Sequence, residues 1–178
     1  MRVELQILDM LQKIHAPVVD QVMCLITHLG DSGMIWILLT LGMLLLPGKR
    51  RTGTILAAAL CIDLILCNGI LKNLVARVRP FDVNTAVQLL VRAPRDFSFP
   101  SGHTAASFTA VMALYLTGEK KLLPPALVLA VLIAFSRLYL YVHYPTDVLC
   151  GVFVGLLCGY LGWQLVQWVT QLMDRRKV

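Results

Sequence analysis

The apolar residues of this chain fall into long runs that short polar segments separate. A helix that crosses a bilayer needs about 20 predominantly apolar residues. The pattern predicts five crossing helices, at residues 33–46, 53–75, 104–117, 122–140 and 148–169. The first of these runs is short for a bilayer, so either the preceding helix extends it through a kink at Gly30 or the bilayer thins around it.

The segment before the first run has a different pattern. Residues 2–15 predict an amphipathic helix that lies in the membrane interface, because the apolar positions share one broad face. These positions are Val3, Leu5, Ile7, Leu8, Leu11 and Ile14. Ala16 and Pro17 would end this helix, and residues 18–29 predict a second, short helix.

The composition supports a membrane protein rather than a soluble domain. Hydrophobic residues make up 58% of the 178 residues and the mean hydropathy is +0.75, whereas about 45–50% is typical of soluble proteins. We therefore expect an all-α integral membrane helical bundle in a single domain, residues 1–178. Interfacial and short helices would occupy residues 1–32, and about five full spans plus their connections residues 33–169.

The charge distribution predicts the topology. The net charge of +6 would suggest a nucleic-acid partner for a soluble protein, but the basic residues cluster at the ends of apolar runs, so no such partner is expected. Clusters follow the first, third and fifth runs: Lys49 to Arg51, Lys120 and Lys121, and Arg175 to Lys177. The positive-inside rule puts these clusters and the C-terminus on the cytoplasmic side of a bacterial cytoplasmic membrane. Segments 79–103 and 141–147 would then meet at the extracytoplasmic face.

Four polar residues that could take part in a reaction lie between the last turns of the fourth run and the start of the fifth: Ser136, Arg137, His143 and Asp147. If Pro145 lies in the first turn of the next helix, His143 and Asp147 can come close. A carboxylate that holds one imidazole nitrogen leaves the other to act as base, nucleophile or ligand. The Arg137 guanidinium suits a phosphate or carboxylate. The alternative is that the His and Arg only reach toward the interface.

A second basic group closes the second run. Lys72 and Arg79 are seven residues apart, which would place them on one helix face over two turns, with an anion between them. For Lys72 and Arg77 taken alone, snorkelling to the interface is the better interpretation. Loop 81–99 carries Asp82, Arg92, Arg95 and Asp96, and it is either part of a substrate entrance or an ordinary solvated loop.

The sequence Ser101-Gly102-His103 directly precedes the third run. Free N–H groups and the helix dipole make such a small-residue turn a candidate anion site, although Ser at an N-cap is also common for stability alone. Gly102 permits close approach of the backbone, and His103 could give a proton to a leaving oxygen. With Lys72, Arg79, Arg137, His143 and Asp147, this turn completes a set suited to phosphoryl transfer through a covalent histidine intermediate.

The order Lys-x6-Arg-Pro, Pro-Ser-Gly-His and Ser-Arg-x5-His-x3-Asp, from Lys72 to Asp147, resembles the three-part signature of the type 2 phosphatidic acid phosphatase superfamily. The resemblance implies a core of six helices and a metal-independent reaction without a cofactor. The length and layout are similar to small bacterial members, including those that dephosphorylate undecaprenyl diphosphate. Soluble vanadate-binding haloperoxidases share the site, but this chain is far too apolar to be one.

The resemblance also implies a role for each matching residue. His143 would be the nucleophile, Asp147 would hold its other nitrogen, and His103 would protonate the leaving lipid oxygen and then act as base for water. The phosphoryl oxygens would be held by Lys72, Arg79, Ser101, Gly102 and Arg137. With three cations supplied, no Mg²⁺ is required.

The expected function is a membrane lipid phosphatase, with undecaprenyl diphosphate the favoured substrate and phosphatidylglycerol phosphate or phosphatidic acid the runner-up. Lipid transport and non-catalytic lipid binding are the rival hypotheses. The transport hypothesis depends on Asp63, in the middle of the second run, for which packing between helices is favoured over function. Arg92 and Arg95 are possible accessory residues. The sequence predicts a lipid phosphate in the membrane as partner and nothing about oligomeric state.

Overall fold

The computed structural model describes residues 2–175, and these residues form helices and no strands. The α-helices are α1 (Arg2–Gln12), α2 (Pro17–Leu29), α3 (Met34–Leu45), α4 (Arg50–Asp63), α5 (Lys72–Val75), α6 (Pro80–Val83), α7 (Gly102–Leu116), α8 (Leu123–Tyr139) and α9 (Pro145–Arg175). Two short 3₁₀ turns cover Asp31–Gly33 and Pro47–Lys49, and a π-helix, Leu64–Leu71, joins α4 to α5. The predicted all-α class is confirmed. Arg176 and Lys177 of the last basic cluster lie outside the described residues.

The predicted number of spans is not confirmed. Within residues 2–175, two helical segments are long and apolar enough to cross a membrane, Pro47–Val83 and Pro145–Arg175. Counting α2 with the α3 segment as one bent span gives a third. Helix α8 is apolar but has only 17 residues. Helix α7 has 15 residues, about 22 Å at the α-helical rise, which is shorter than a hydrocarbon core of about 30 Å.

The short first run belongs to a pair of helices joined by a sharp break. Helix α2 ends at Leu29, and the two helical segments meet at 45°. Ser32 and Gly33 have φ values of 53° and 69°, in the left-handed region that ends a right-handed helix. Gly33 adopts this conformation without the steric cost of a Cβ. The structure therefore has two helices here, and the break presents polar residues to the neighbouring α7.

Helices α7 and α9 approach each other through glycines on one face of α9. A Cβ on Gly155 would lie 2.3 Å from the carbonyl oxygen of Ala105, and one on Gly159 would lie 2.6 Å from Cβ of Met112. Small residues at such positions let helix backbones come close. At the end of this contact, the Ser101 N–H donates to the Asp147 carbonyl oxygen at 3.1 Å. Two of the predicted motifs are thus joined through the main chain.

Helix α1 is amphipathic, as predicted, but only part of its apolar face is buried. Leu8 is fully buried against a cluster that contains Tyr141 and Tyr144, and the neighbouring Leu5 and Leu11 pack against the same cluster. The other predicted apolar positions are exposed: Val3, Ile7 and Ile14. One part of the helix therefore covers the chain segment that carries His143.

The connections after the first and third apolar runs meet at one end of the bundle. Lys49 Nζ lies 2.6 Å from Glu119 Oε2, and Thr52 Oγ1 donates to Glu119 Oε1 at 2.9 Å. Arg51 donates to Gln167 in the second half of α9 at 2.7 Å. The basic clusters Lys49 to Arg51 and Lys120 to Lys121 thus share one end. The motifs at the starts of α7 and α9 lie at the other end.

Candidate active site

Lys72 and Arg79 converge on a single carboxylate. The predicted common helix face is wrong, because α5 ends at Val75, Ala76 is left-handed and Arg79 is extended (φ −75°, ψ 153°). Proline disfavours helical backbone at the residue before it, and Pro80 follows Arg79. Both side chains nevertheless reach Asp96: Lys72 Nζ pairs with Oδ2, and Arg79 Nη2 lies 2.6 Å from Oδ1.

Asp96 is a central residue of this site that the sequence pattern left in a loop of undecided role. Burial alone would raise the pKa of its carboxyl, but the hydrogen bonds and charges of Lys72 and Arg79 outweigh burial and lower that pKa to about 2. Its side chain is 53% exposed, whereas those of Lys72 and Arg79 are 7% and 3% exposed. The carboxylate therefore sits at the open side of two buried cations, where an incoming anion would bind.

Two guanidinium groups, those of Arg79 and Arg137, lie near His143. Arg79 Nη1 donates to the Val142 carbonyl at 2.7 Å and lies 3.4 Å from His143 Nε2. Arg137 is 4% exposed, and its Nη1 donates to Thr27 Oγ1 at 2.5 Å. Within the described part of the chain, Nε of Arg137 has no hydrogen-bond partner. This N–H is thus available to an anion.

His143 and Asp147 lie close together, as predicted, and both are buried. Pro145 is the first residue of α9, so the chain turns directly into the helix that carries Asp147. Nδ1 of His143 lies 3.7 Å from Asp147 Oδ2, beyond hydrogen-bond distance. That oxygen accepts hydrogen bonds from Ser98 Oγ at 2.5 Å and the Tyr144 N–H at 3.0 Å. The sequence pattern gave no signal for Ser98, which lies far from Asp147 along the chain.

The environment of His143 favours the neutral imidazole. Burial, together with the guanidinium groups of Arg79 and Arg137, lowers the pKa of His143 to about 3 against the opposing effect of the Asp147 carboxylate. A neutral imidazole is the nucleophilic form. With Nδ1 on the Asp147 side, Nε2 is the nitrogen that faces the cations.

Arg77 links Asp147 to the N-terminal helix. Its Nη1 donates to Asp147 Oδ1 at 2.5 Å and its Nη2 to Glu4 Oε2 at 2.7 Å. The guanidinium carbon lies 3.8 Å from the centre of the Tyr144 ring. The snorkelling interpretation is therefore wrong for Arg77, because long-range contacts from α1 and α9 hold it at the site. No local pattern near Arg77 indicates those partners.

The Ser101-Gly102-His103 turn lies at the start of α7, as predicted. Ser101 is fully buried, and its Oγ shares a 2.9 Å hydrogen bond with Thr104 Oγ1. A Cβ on Gly102 would come within 3.0 Å of Asn68 Oδ1, so glycine permits this close packing against the π-helix.

His103 faces the break between α2 and α3. Its Nε2 lies 2.9 Å from Asp31 Oδ1, and the other oxygen of Asp31 lies 2.8 Å from His28 Nδ1. Burial lowers the pKa of His103 to about 4 with help from the charge of Arg137, and the Asp31 carboxylate opposes this shift. The sequence pattern did not indicate Asp31 or His28 as site residues. The only sign of them was the interruption of the helix at Gly30.

One cavity of about 880 Å³ brings most of the predicted site together. The predicted residues that line it are Lys72, Arg79, Gly102, His103, Arg137, His143, Asp63 and Arg92. Ser101 and Asp147 are buried behind its wall, and Arg95 is exposed outside it. Asp63 is 3% exposed, and its Oδ1 has no hydrogen-bond partner within residues 2–175. Away from the cations, the cavity is lined by apolar residues of α3 and α4, among them Ile37, Leu41, Leu44 and Leu60.

Comparisons with known proteins agree with this arrangement. The model of the PAP2 superfamily matches residues 32–171. The undecaprenyl-diphosphatase of Sulfolobus acidocaldarius is 33% identical over 131 residues, which are 74% of this chain and 63% of that protein. The chain thus spans somewhat less than two thirds of this archaeal relative.

Two solved structures share the fold. Aquifex aeolicus LpxE has a TM-score of 0.79 and 26% identity, and the match covers 91% of this chain and 95% of that one. The transmembrane PAP2 type phosphatidylglycerolphosphate phosphatase from Bacillus subtilis has a TM-score of 0.75 and 30% identity, with 94% and 86% covered. The names of the Sulfolobus acidocaldarius and Bacillus subtilis relatives support the predicted class of enzyme, a phosphatase. With the long apolar helices, they identify an integral membrane protein, and the chain belongs to the PAP2 superfamily.

Proposed function

We propose that this protein is a membrane lipid phosphatase that removes the terminal phosphate of a lipid phosphate or diphosphate through a phosphohistidine at His143, without a metal ion. The observation that carries the proposal is the cavity of about 880 Å³. One end of it holds three buried cations and two imidazoles, and the other end is apolar. This combination suits an anionic head group on a hydrophobic tail.

Substrate binding begins with an exchange of anions. The phosphoryl oxygens take the place of the Asp96 carboxylate at Lys72 and Arg79, and the Nε–H of Arg137 donates to a third oxygen. In phosphoryl transfer the charge develops on the equatorial oxygens, so fixed donors at these positions stabilise the transition state. The lipid tail occupies the apolar part of the cavity. Ile37 and Leu41 line that part and are also 47% and 50% exposed, so the cavity opens at the side of α3.

The reaction has two half-steps. Nε2 of His143 attacks phosphorus while the bond to the leaving oxygen breaks, and His103 gives its proton to that oxygen. The leaving oxygen belongs to the lipid alcohol in a monophosphate and to the departing lipid phosphate in a diphosphate. Asp147 stabilises the positive charge that develops on the phosphorylated imidazole. Water then attacks phosphorus, His103 takes a proton from this water, and inorganic phosphate leaves with His143 restored.

Undecaprenyl diphosphate is the substrate we favour. The Sulfolobus acidocaldarius relative carries the name undecaprenyl-diphosphatase, and the small chain resembles proteins of that kind. A second candidate is phosphatidylglycerol phosphate, favoured by the match of 94% of the chain to the Bacillus subtilis phosphatidylglycerolphosphate phosphatase. We further propose that the site faces the extracytoplasmic side of the cytoplasmic membrane and that the C-terminus is cytoplasmic, since the basic clusters gather at the end opposite the site.

The test is phosphate release by the detergent-purified protein in excess EDTA. The panel is undecaprenyl diphosphate, phosphatidylglycerol phosphate and phosphatidic acid, each also tested with His143→Ala and with Lys120→Ala. Lys120 lies in the cluster at the far end, so Lys120→Ala controls for truncation of a polar side chain outside the site. Release that survives EDTA and Lys120→Ala but disappears in His143→Ala supports the proposal. No release from any of the three lipids by folded wild-type protein contradicts it, and Asp63→Asn would then test the transport hypothesis.

A further inference from the structure

The break between α2 and α3 places a carboxylate against the second histidine of the site. We propose that Asp31 is a positioning residue for His103: it holds Nε2–H, so that Nδ1 carries the proton to and from the substrate. This inference depends on the proposed function, because it assigns the step in which the leaving oxygen is protonated.

The orientation of the His103 ring is fixed from two sides of the break. Nε2 contacts Asp31 at 2.9 Å. A Cβ on Gly30 would lie 2.8 Å from Cδ2 of the same ring and 3.1 Å from Cγ2 of Ile133. The Cδ2–Nε2 edge thus packs into the space that Gly30 leaves open, and the opposite edge, with Nδ1, points away from the break.

Asp31 is itself held in place. His28, on the last turn of α2, contacts its second oxygen at 2.8 Å. The side chains of His28 and Asp31 are 61% and 50% exposed, whereas that of His103 is 20% exposed. The carboxylate therefore lies between a half-buried imidazole and an exposed one, and each of its oxygens has a histidine partner.

The charges around His103 explain why a carboxylate is needed. Arg137 and Lys72 disfavour the imidazolium, and Asp31 is the neighbour that favours it. When a phosphate group binds, it offsets these cations, and the Asp31 carboxylate then stabilises the protonated form. After Nδ1 has given its proton to the leaving oxygen, Nε2–H stays on Asp31. The lone pair on Nδ1 is then positioned to accept a proton from the attacking water.

The sharpest test separates leaving groups. Asp31→Asn has nearly the same shape but lacks the charge, and its kcat/KM would be measured with p-nitrophenyl phosphate, with phenyl phosphate and with a lipid monoester, phosphatidic acid. The p-nitrophenolate ion leaves without a proton, whereas phenolate and alkoxide require general acid catalysis. General acids contribute about 10²–10⁴-fold. We expect a loss of about 100-fold for phenyl phosphate, a larger one for a lipid monoester, and a loss below about 5-fold for p-nitrophenyl phosphate. Because kcat/KM reports only the steps through phosphohistidine formation, slower hydrolysis of the intermediate does not affect the comparison.

The control variants make each outcome decisive. His103→Ala should share the leaving-group dependence of Asp31→Asn, whereas His143→Ala should lose all three substrates. Gly30→Ala, whose Cβ would displace the His103 ring, should show the same leaving-group dependence. Equal losses with both phenyl esters, or no loss with either, would overturn the proposal. If Asp31→Asn fails to fold, Asp31→Glu keeps the charge and should keep the wild-type ratio between the esters; a ratio like that of His103→Ala would refute the role. If the proposed function is wrong, the wild-type protein itself releases no phosphate. That result is distinguishable from a failure of the Asp31 role, in which wild type remains active.

Discussion

The carboxylate of Asp96 competes with the substrate for two cations, and removing its charge should therefore tighten binding. In Asp96→Asn the amide keeps the size of the side chain but no longer neutralises Lys72 and Arg79. Hydrogen bonds to charged groups contribute about 1.5–3 kcal/mol each when desolvated. Because the Asp96 side chain is 53% exposed, solvent screening reduces this value, and we take roughly 1.5 kcal/mol for the pair of contacts.

This energy corresponds to about a tenfold change in affinity, since each 1.4 kcal/mol is a factor of ten. The apparent dissociation constant of a ligand equals its intrinsic value divided by the fraction of protein whose site is free of the competitor. We expect Asp96→Asn to lower KM for the lipid phosphate and the dissociation constant of inorganic phosphate by about tenfold. The unliganded variant should melt at a lower temperature than wild type, because two buried cations lose their counterion.

The assay is thermal melting in detergent with a titration of inorganic phosphate, beside steady-state kinetics. Asp82→Asn removes the same charge from an exposed position at α6 and is the matched control.

The pKa of about 2 for Asp96 lies below the unfolded value of about 3.9. Its contribution to stability is thus present above about pH 4 and is lost as pH falls toward 2. The wild-type advantage in melting temperature should therefore persist at pH 5–8. Unchanged phosphate affinity in Asp96→Asn would refute the competition, and a lower kcat at unchanged affinity would place Asp96 in the chemical step instead.

Two further predictions concern the support of the site. Arg77→Ala leaves the carboxylate of Asp147 buried without its guanidinium partner, so we expect a loss of roughly 3–5 kcal/mol in stability and a lower kcat with little change in KM. Arg77→Lys should restore part of the stability and part of the kcat. Equal kcat values for wild type, Arg77→Ala and Arg77→Lys would contradict a role of Arg77 in supporting Asp147. Gly155→Ala places a Cβ 2.3 Å from the Ala105 carbonyl oxygen, and overpacking of this kind costs about 1–3 kcal/mol. Gly42→Ala, where nothing lies within 4 Å, should melt at or slightly above the wild-type temperature, because alanine favours a helix over glycine; if the two variants melt alike, the tight α7–α9 contact is not as described.

The pattern of apolar and polar residues predicted the helices well, because the residues that favour a helix lie within the helix itself. The runs that became α7 and α8 start and end within a few residues of the predicted positions. Apolar length alone did not fix which helices cross the bilayer, since α7 and α8 are apolar yet short. The helix through Lys72 ends earlier than its periodicity predicts, because Ala76 is left-handed and Pro80 disfavours helical backbone at Arg79.

The chemistry of the site could be predicted where spacing and residue type suffice, as for His143, Asp147 and the turn at Gly102. The residues that were missed act through contacts between distant segments. Ser98 and Arg77 reach Asp147 only because loop, helix and N-terminal segment fold together. Asp96 looked like any solvated loop acid, since its role depends on cations more than 15 residues away.

The side opening of the cavity at α3 has a kinetic consequence. On the proposed function, a lipid whose tail stays in the bilayer reaches the site by lateral diffusion. Turnover then follows the mole fraction of substrate in the membrane rather than its amount per volume of buffer. Inert carrier lipid added at constant substrate should slow the reaction, and the dephosphorylated lipid returns to the same two-dimensional pool.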